Sequence, residues 1–274
     1  VNHAFTTRAT GGFSVRNTSI SSYQSDAITW VIIVFTFLAG INFSLLYAVV
    51  RGRIKDALRS EELRWYLLIL AITITLICVD LHVELGQGWY ESAKDAAFQA
   101  TTIMSTTGYA TKDFTLWPTF SRCILVLLMY VGGCAGSTAG GMKISRLMLQ
   151  VKSLRRELDH IIHPNRVSVI TIDGQSVDER AVNSAHMFQV AYLLILMAGT
   201  LVVSLDVLGF TESFVASLTC ISNVGPSLGA LGPMANFAPL SWFSKLVLAL
   251  IMLMGRLELM PLLVLLSPST WRNK

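Results

Sequence analysis

The 274 residues are 53% hydrophobic and only 14% charged, with mean hydropathy +0.58 and formal net charge +4, where an average soluble domain carries roughly 25% charged residues. So little charge among so many aliphatic residues excludes disorder. Four cysteines in so long a chain exclude a disulfide-stapled scaffold, and +4 excludes a basic nucleic-acid binder. The balance is that of a membrane protein.

In chain order, VNHAFTTRA is followed by TGGFS at 10–14 and a polar link. The first 27 residues hold neither a basic start with an apolar run nor a small-residue cleavage site, and the chain begins at Val1. This predicts no signal peptide and a piece of a longer protein, with at least one span upstream. Residues 28–50, 63–79, 123–142 and 181–205 are long and nearly or wholly uncharged, each approaching the roughly 20 residues that cross a bilayer as a helix. A fifth run, 240–266, has the length but carries Arg256 and Glu258. Cytoplasmic loops hold an excess of Lys and Arg. That places Arg51, Arg53, Lys55, Arg59 and Arg64 inside, with Lys143, Arg146, Lys152, Arg155, Arg156, Arg166 and Arg180.

Between the spans lie apolar stretches too short to cross, which read as re-entrant segments. After the second span comes ESAKDAAFQATTIMS, then TTGYA at 106–110 and a polar link to Pro118; after the fourth comes TESFVASLTCIS, then NVGPS at 223–227 and a link to Pro239. The same plan occurs twice, and the start of the chain reads as a truncated third copy. Irregular backbone at membrane depth is tolerated only where it is buried in protein or lines a water-filled path. Glycine opens backbone angles that let carbonyls turn to one axis and replace an ion's hydration shell. Gly11, Gly108 and Gly225 are therefore expected as the central glycines of a shared ion path. The C-terminal end of each preceding short helix favours a cation there, and the lack of carboxylates argues against Ca2+ or Mg2+.

The run GGCAGSTAGGMK, with Gly132, Gly133, Gly136, Gly140 and Gly141, is a poor helix, since each glycine costs about 1 kcal/mol relative to alanine. It lacks the ending and preceding strand of a nucleotide-binding loop. Two readings stay open: a helix-packing face through consecutive GxxxG pairs, and a flexible gate in which Ser137 and Thr138 help block an ion path. The gate is favoured because a pore is already argued. Arg256 lies about 16 Å of helix rise beyond Lys245, near the midplane, where a charge usually faces the bundle interior or an aqueous cavity. It reads as a barrier to cations below the filter, with a structural arginine paired to a backbone carbonyl as the alternative. Asp80 and Glu84, one turn apart, read as an ordinary helix end in preference to an outer cation-attracting pair. Cys78, Cys123, Cys134 and Cys220 have no metal-ligand spacing and read as packing residues, and the five histidines form no ligand constellation. VSVITIDGQSV reads as a small hairpin turned at Asp173 and Gly174.

Two functions compete. One is a channel or transporter for a hard monovalent cation; the other is a secondary transporter binding a small solute at broken helices near the midplane. The re-entrant segments present backbone oxygens around glycine instead of side-chain donors, which favours the ion. An enzyme is not expected, because Ser137, Thr138 and Cys134 have no base at helical spacing.

TGGFS, STTGYATKDF, GCAGSTAGGMKISR, ISNVGPSLGALGP and MLMGRLELMPLLVLLSPSTW together resemble the Trk potassium-uptake family of bacteria, in its TrkH/TrkG branch, over essentially the whole chain. The resemblance implies an all-α integral membrane fold of repeated M1–P–M2 units (helix, re-entrant pore helix with filter loop, helix) arranged like a potassium channel. It also implies a multi-pass protein of the bacterial inner membrane. On this basis 1–50 holds the filter loop and M2 of the second repeat, with the first repeat missing. Residues 51–62 are a cytoplasmic basic loop, and 63–150 are the third repeat with its gating loop at 132–141. Residues 151–184 are a cytoplasmic linker with the hairpin, and 185–271 the fourth repeat. The resemblance makes Thr10, Gly11, Thr107, Gly108, Asn223, Val224 and Gly225 the filter that would hold K+, the transported ion, with no covalently bound cofactor. The glycine run would be the intramembrane gate, and Arg256 the family's pore-facing arginine. The implied partners are a second copy in a homodimer, a cytosolic RCK-type nucleotide-binding subunit docking on the basic stretch 143–180, and the lipid bilayer. That basic stretch reads equally as positive-inside topology with lipid headgroup contact.

Overall fold

The computed structural model describes residues 1–257 apart from 17, 18, 24, 166, 167 and 207, and beyond these only 259, 261 and 264. Its helices are α1 (Asn2–Arg8), α2 (Asp26–Ala39), α3 (Phe43–Val50), α4 (Ile54–Arg59), α5 (Glu61–Leu85), α6 (Trp89–Met104), α7 (Thr119–Val131) and α8 (Ile144–Ile162). A two-stranded hairpin, β1 (Thr171–Ile172) and β2 (Gln175–Ser176), is followed by α9 (Glu179–Val203), α10 (Phe210–Ser222) and α11 (Trp242–Arg256).

The two longest helices carry the scaffold. Twenty-five residues in α5 and in α9 rise about 37 Å, enough for a hydrocarbon core of about 30 Å. Acids Glu61 and Glu62 begin α5, where the positive end of the helix dipole favours them, and Gly86 ends it at φ 62. Asp178 caps α9 by accepting from Arg180 N at 3.1 Å. Leu68, Ile72, Leu76 and Val83 of α5 and Leu194, Met197 and Leu201 of α9 are exposed, an apolar surface suited to lipid. Among the described residues these are the two stretches long and apolar enough to cross a membrane, with a third if α2 and α3 are taken together.

That third case corrects an expectation. Residues 28–50 do not form one straight span: α2 and α3 meet at 107°. The break falls at Gly40, Ile41 and Asn42. Tyr66 Oη donates to Phe37 O at 3.1 Å, and a Cβ on Gly40 would lie 2.5 Å from that same oxygen, so the side chain of α5 seats against the bend. Asn42 starts the new helix by accepting from Ser44 N at 2.8 Å.

The shorter helices α6 and α10 lie inside the protein. From residue 95 to 104 every side chain of α6 is buried, as is every one from 215 to 222 in α10. α6 packs against α5, α2 and α7, and α10 against α9, α11 and α7. The main core joins Tyr66, Leu70 and Ile77 of α5, Leu125 and Leu128 of α7, and Tyr192 and Leu196 of α9 around these two helices. Asp80 accepts from Ser121 N at 3.1 Å and Ser121 Oγ at 2.5 Å, so it serves the first turn of α7.

Boundaries drawn from sequence shift. The limits at 150 and 184 fall inside α8 and α9, because each helix runs unbroken from the apolar layer into the basic region. The span expected over 240–266 is described as far as Arg256, and the rest of it, with Glu258, lies largely outside the described residues. The hairpin forms with Thr171 opposite Ser176 and Ile172 opposite Gln175. Asp173 and Gly174 both have positive φ, 51 and 79, as a two-residue turn matching strand twist requires. Lys152 of α8 pairs with Glu61 and donates to Thr171 O at 2.6 Å, and Glu61 N donates to Asp173 Oδ1 at 2.6 Å.

Candidate functional site

The three short helices α1, α6 and α10 each end in the same turn. Thr10, Thr106 and Asn223 have φ 49, 55 and 57, and two residues later Gly12, Gly108 and Gly225 have φ 65, 78 and 110. The backbone bonds repeat as well. Thr10 N, Thr106 N and Asn223 N donate three residues back at 3.2, 2.9 and 3.2 Å; Gly11 N, Thr107 N and Val224 N donate five residues back at 2.7, 2.8 and 2.9 Å.

This congruence fixes the register and corrects one expectation. Gly11 does not occupy the central-glycine position; it stands level with Thr107 and Val224. The counterpart of Gly108 and Gly225 is Gly12. Two adjacent glycines in TGGFS made the choice ambiguous in sequence, and the positive φ at Gly12 decides it. Thr106, level with Thr10 and Asn223, is the second residue the sequence reading passed over; its signal was the doubled threonine in TTGYA.

The turns stand side by side. A Cβ on Gly12 would collide with Thr107 O, and one on Gly108 with Val224 O. Glycine is required at both for the positive φ and for the approach of the neighbouring backbone. The order round the group is therefore the turn at 10–12, then 106–108, then 223–225. Around Gly225, among the described residues, no atom beyond its chain neighbours lies within 4 Å of an added Cβ.

The glycine run lies directly against these turns. Between α7 and α8 the backbone carries no helix from 132 to 143, with Gly132, Gly136, Gly141 and Lys143 at φ near 71 to 74. Its two stems pair: Lys143 N donates to Val131 O at 3.0 Å and Ile144 N to Gly133 O at 3.0 Å. One side docks on the break between α2 and α3, where Cys134 N donates to Gly40 O at 3.0 Å and Phe43 N to Gly136 O at 3.1 Å. Both irregular stretches thereby satisfy backbone groups that lipid could not. Ser137 Oγ donates to Cys134 O at 2.6 Å and holds the loop's own turn.

The tip of the loop touches all three turns. Thr10 Oγ1 donates to Thr138 O at 2.8 Å, and Gly140 N donates to Thr106 Oγ1 at 2.7 Å. A Cβ on Gly140 would run into Ser222 O. A β-branched residue at positive φ is strained; the hydroxyls of Thr10 and Thr106, bonded to the loop, help hold that conformation. Arg256, at the end of α11, donates through Nη1 to Thr138 O at 2.9 Å and through Nη2 to Ala9 O at 3.5 Å. The structure thus gathers Thr10, Gly11, Thr107, Gly108, Asn223, Val224 and Gly225 with Thr138, Gly140 and Arg256. Gly132, Gly133 and Gly141 form the stems, and a Cβ added to Gly136 would lie 3.2 Å from the Asn42 side chain. Arg256 pairs with backbone carbonyls at the loop, as the alternative reading of it expects.

The family described as TrkH, cation transport protein, matches residues 1–273. The chain is 32% identical over 278 residues to the Trk system potassium uptake protein TrkH of Salmonella typhimurium, covering 100% of this chain and 56% of that protein. It is 34% identical over 273 residues to the Trk system potassium uptake protein TrkI of Halomonas elongata, covering 99% and 55%. The crystal structure of the potassium transporter TrkH from Vibrio parahaemolyticus superposes with a TM-score of 0.91 at 32% identity, over 98% of this chain and 58% of that one. The chain therefore spans a little over half the length of these relatives.

Proposed function

The chain belongs to the TrkH family of cation transport proteins, and from that premise we propose that it takes part in potassium uptake across the bacterial inner membrane. In this reading the turns at 10–12, 106–108 and 223–225 supply three sides of a filter of backbone carbonyls. The relatives are longer than the part matched here, and the remaining side would come from such further sequence. The observation that carries the reading is the threefold congruence of the turns, with neighbouring glycines packed against neighbouring carbonyls. Carbonyl oxygens alone suit a hard monovalent cation, and the ends of α1, α6 and α10 add negative partial charge beside them.

The loop 132–141 is the gate of this path, closed in the arrangement described. Its tip is bonded to Thr10 and Thr106, so a passage for ions beneath the turns requires these bonds to part. Arg256 adds a positive charge at the tip and opposes a cation until the loop moves. The working assembly is a homodimer with a cytosolic RCK-type nucleotide-binding subunit. The basic face of α8 supports a docking surface on that side, with Arg155 and Arg156 beside exposed Leu158, Ile161 and Ile162.

The test is growth of a potassium-uptake-deficient bacterium at sub-millimolar K+, with the chain completed by the N-terminal part of a relative. Rescue by the completed protein, weakened when Gly108→Ser is introduced, is the expected result. No K+ transport by the completed protein, with the glycine change silent, would overturn the reading.

A further inference from the structure

Each short helix carries a threonine six residues before its positive-φ glycine: Thr6 before Gly12, Thr102 before Gly108 and Thr219 before Gly225. In two repeats the hydroxyl reaches forward to the same place. Thr6 Oγ1 donates to Phe13 O at 3.1 Å, and Thr102 Oγ1 donates to Tyr109 O at 3.2 Å. Phe13 and Tyr109 directly follow the filter glycines, so these oxygens form the next rung outward. Behind them, Asn2 O and Gln99 O share the same hydroxyl protons at 3.0 and 3.3 Å.

The fourth repeat differs. Thr219 Oγ1 accepts from Gly225 N at 2.9 Å, and the residue after that glycine is Pro226. The second and third repeats are also joined to each other. Thr7 Oγ1 donates to Tyr109 Oη at 3.3 Å, and with the Thr6 proton on Phe13 O, Tyr109 Oη donates to Thr6 Oγ1 across 2.5 Å and shares that proton with His3 O at 3.3 Å. A line of hydroxyls thus runs from the aromatic side chain of one filter segment to the outer carbonyl of its neighbour.

We propose that Thr6 and Thr102 are positioning residues which commit the Phe13 and Tyr109 carbonyls to the short helices, so that the carbonyl cage ends at the glycine rung and the ring outside it is unequal among the repeats. The proposal rests on reading these turns as a filter. An oxygen that accepts from a hydroxyl behind it presents a weaker field to an ion in front, and discrimination between K+ and Na+ depends on the number and field of coordinating carbonyls.

The test is the K+ to Na+ uptake ratio of the completed protein carrying Thr102→Val, Thr102→Ser, Tyr109→Phe or Gly108→Ser. Thr102→Val should shift the ratio roughly fivefold, the equilibrium change expected from one buried hydrogen bond, while Thr102→Ser stays with the parent. Tyr109→Phe, which keeps the ring and removes only the hydroxyl line, should move the ratio the same way by less. It carries the test if the valine variant fails to fold. A parent-like ratio in Thr102→Val or, where that variant does not fold, in Tyr109→Phe, beside a shifted one in Gly108→Ser, would overturn the proposal and leave the filter standing. Parent-like ratios in all of them would remove the filter reading, and the proposal with it.

Discussion

The turns at 10–12 and 106–108 differ from the turn at 223–225 in what surrounds them. Thr10 and Thr106 are bonded to the glycine loop, and Gly12 and Gly108 are walled by the backbone of the next segment. Asn223 stands level with them, yet its Nδ2 has no hydrogen-bond partner among the described residues, and Gly225 faces open space. All three nevertheless adopt the same turn, with the same bonds back to their own short helix. The shape of a segment is therefore set locally. What surrounds it is set by neighbours far away in sequence.

Three substitutions sharpen that contrast. The largest effect belongs to Gly108→Ala, which adds a collision with Val224 O to a forbidden φ. Potassium uptake by the completed protein should fall sharply, as with Gly108→Ser, and the melting temperature in detergent should fall below the parent's. An intermediate effect belongs to Arg256→Ala. It removes the charge bridging Thr138 O and Ala9 O, and should raise ungated cation flux into liposomes about tenfold or more, on the scale of a charged hydrogen bond. Unchanged or lower flux would make Arg256 a tie without a barrier role. The smallest effect belongs to Gly225→Ala in the 274-residue chain, where only the backbone conformation is strained, at a cost of about 1 to 3 kcal/mol. If it melts no higher than Gly108→Ala, the distinction between walled and open segments fails.

Much of this was legible before any coordinates. The re-entrant stretches were visible as apolar runs too short to cross and from the glycine turns that end them, and the Asp173 and Gly174 hairpin from its dipeptide, because these signals are local. The glycine run declared itself by low helix propensity. Three features were not legible. The break at Gly40 to Asn42 sits in an otherwise continuous apolar run, and is held open by Tyr66 and by Cys134 and Gly136 from distant segments. The register of TGGFS depended on which of two adjacent glycines takes the positive φ. The docking of the loop rests on Thr10 with Thr138 and Thr106 with Gly140, pairs 128 and 34 residues apart, and no periodicity reports such contacts.

The most direct measurement of the central claim is to locate a heavy potassium congener, Tl+ or Rb+, by its anomalous scattering in crystals of the completed protein. The account predicts ions on the axis ringed by residues 10–12, 106–108 and 223–225, lost when Gly108→Ser is introduced. Ions or solute density at the α2 and α3 break, with nothing between the turns, would contradict it and make the turns scaffolding.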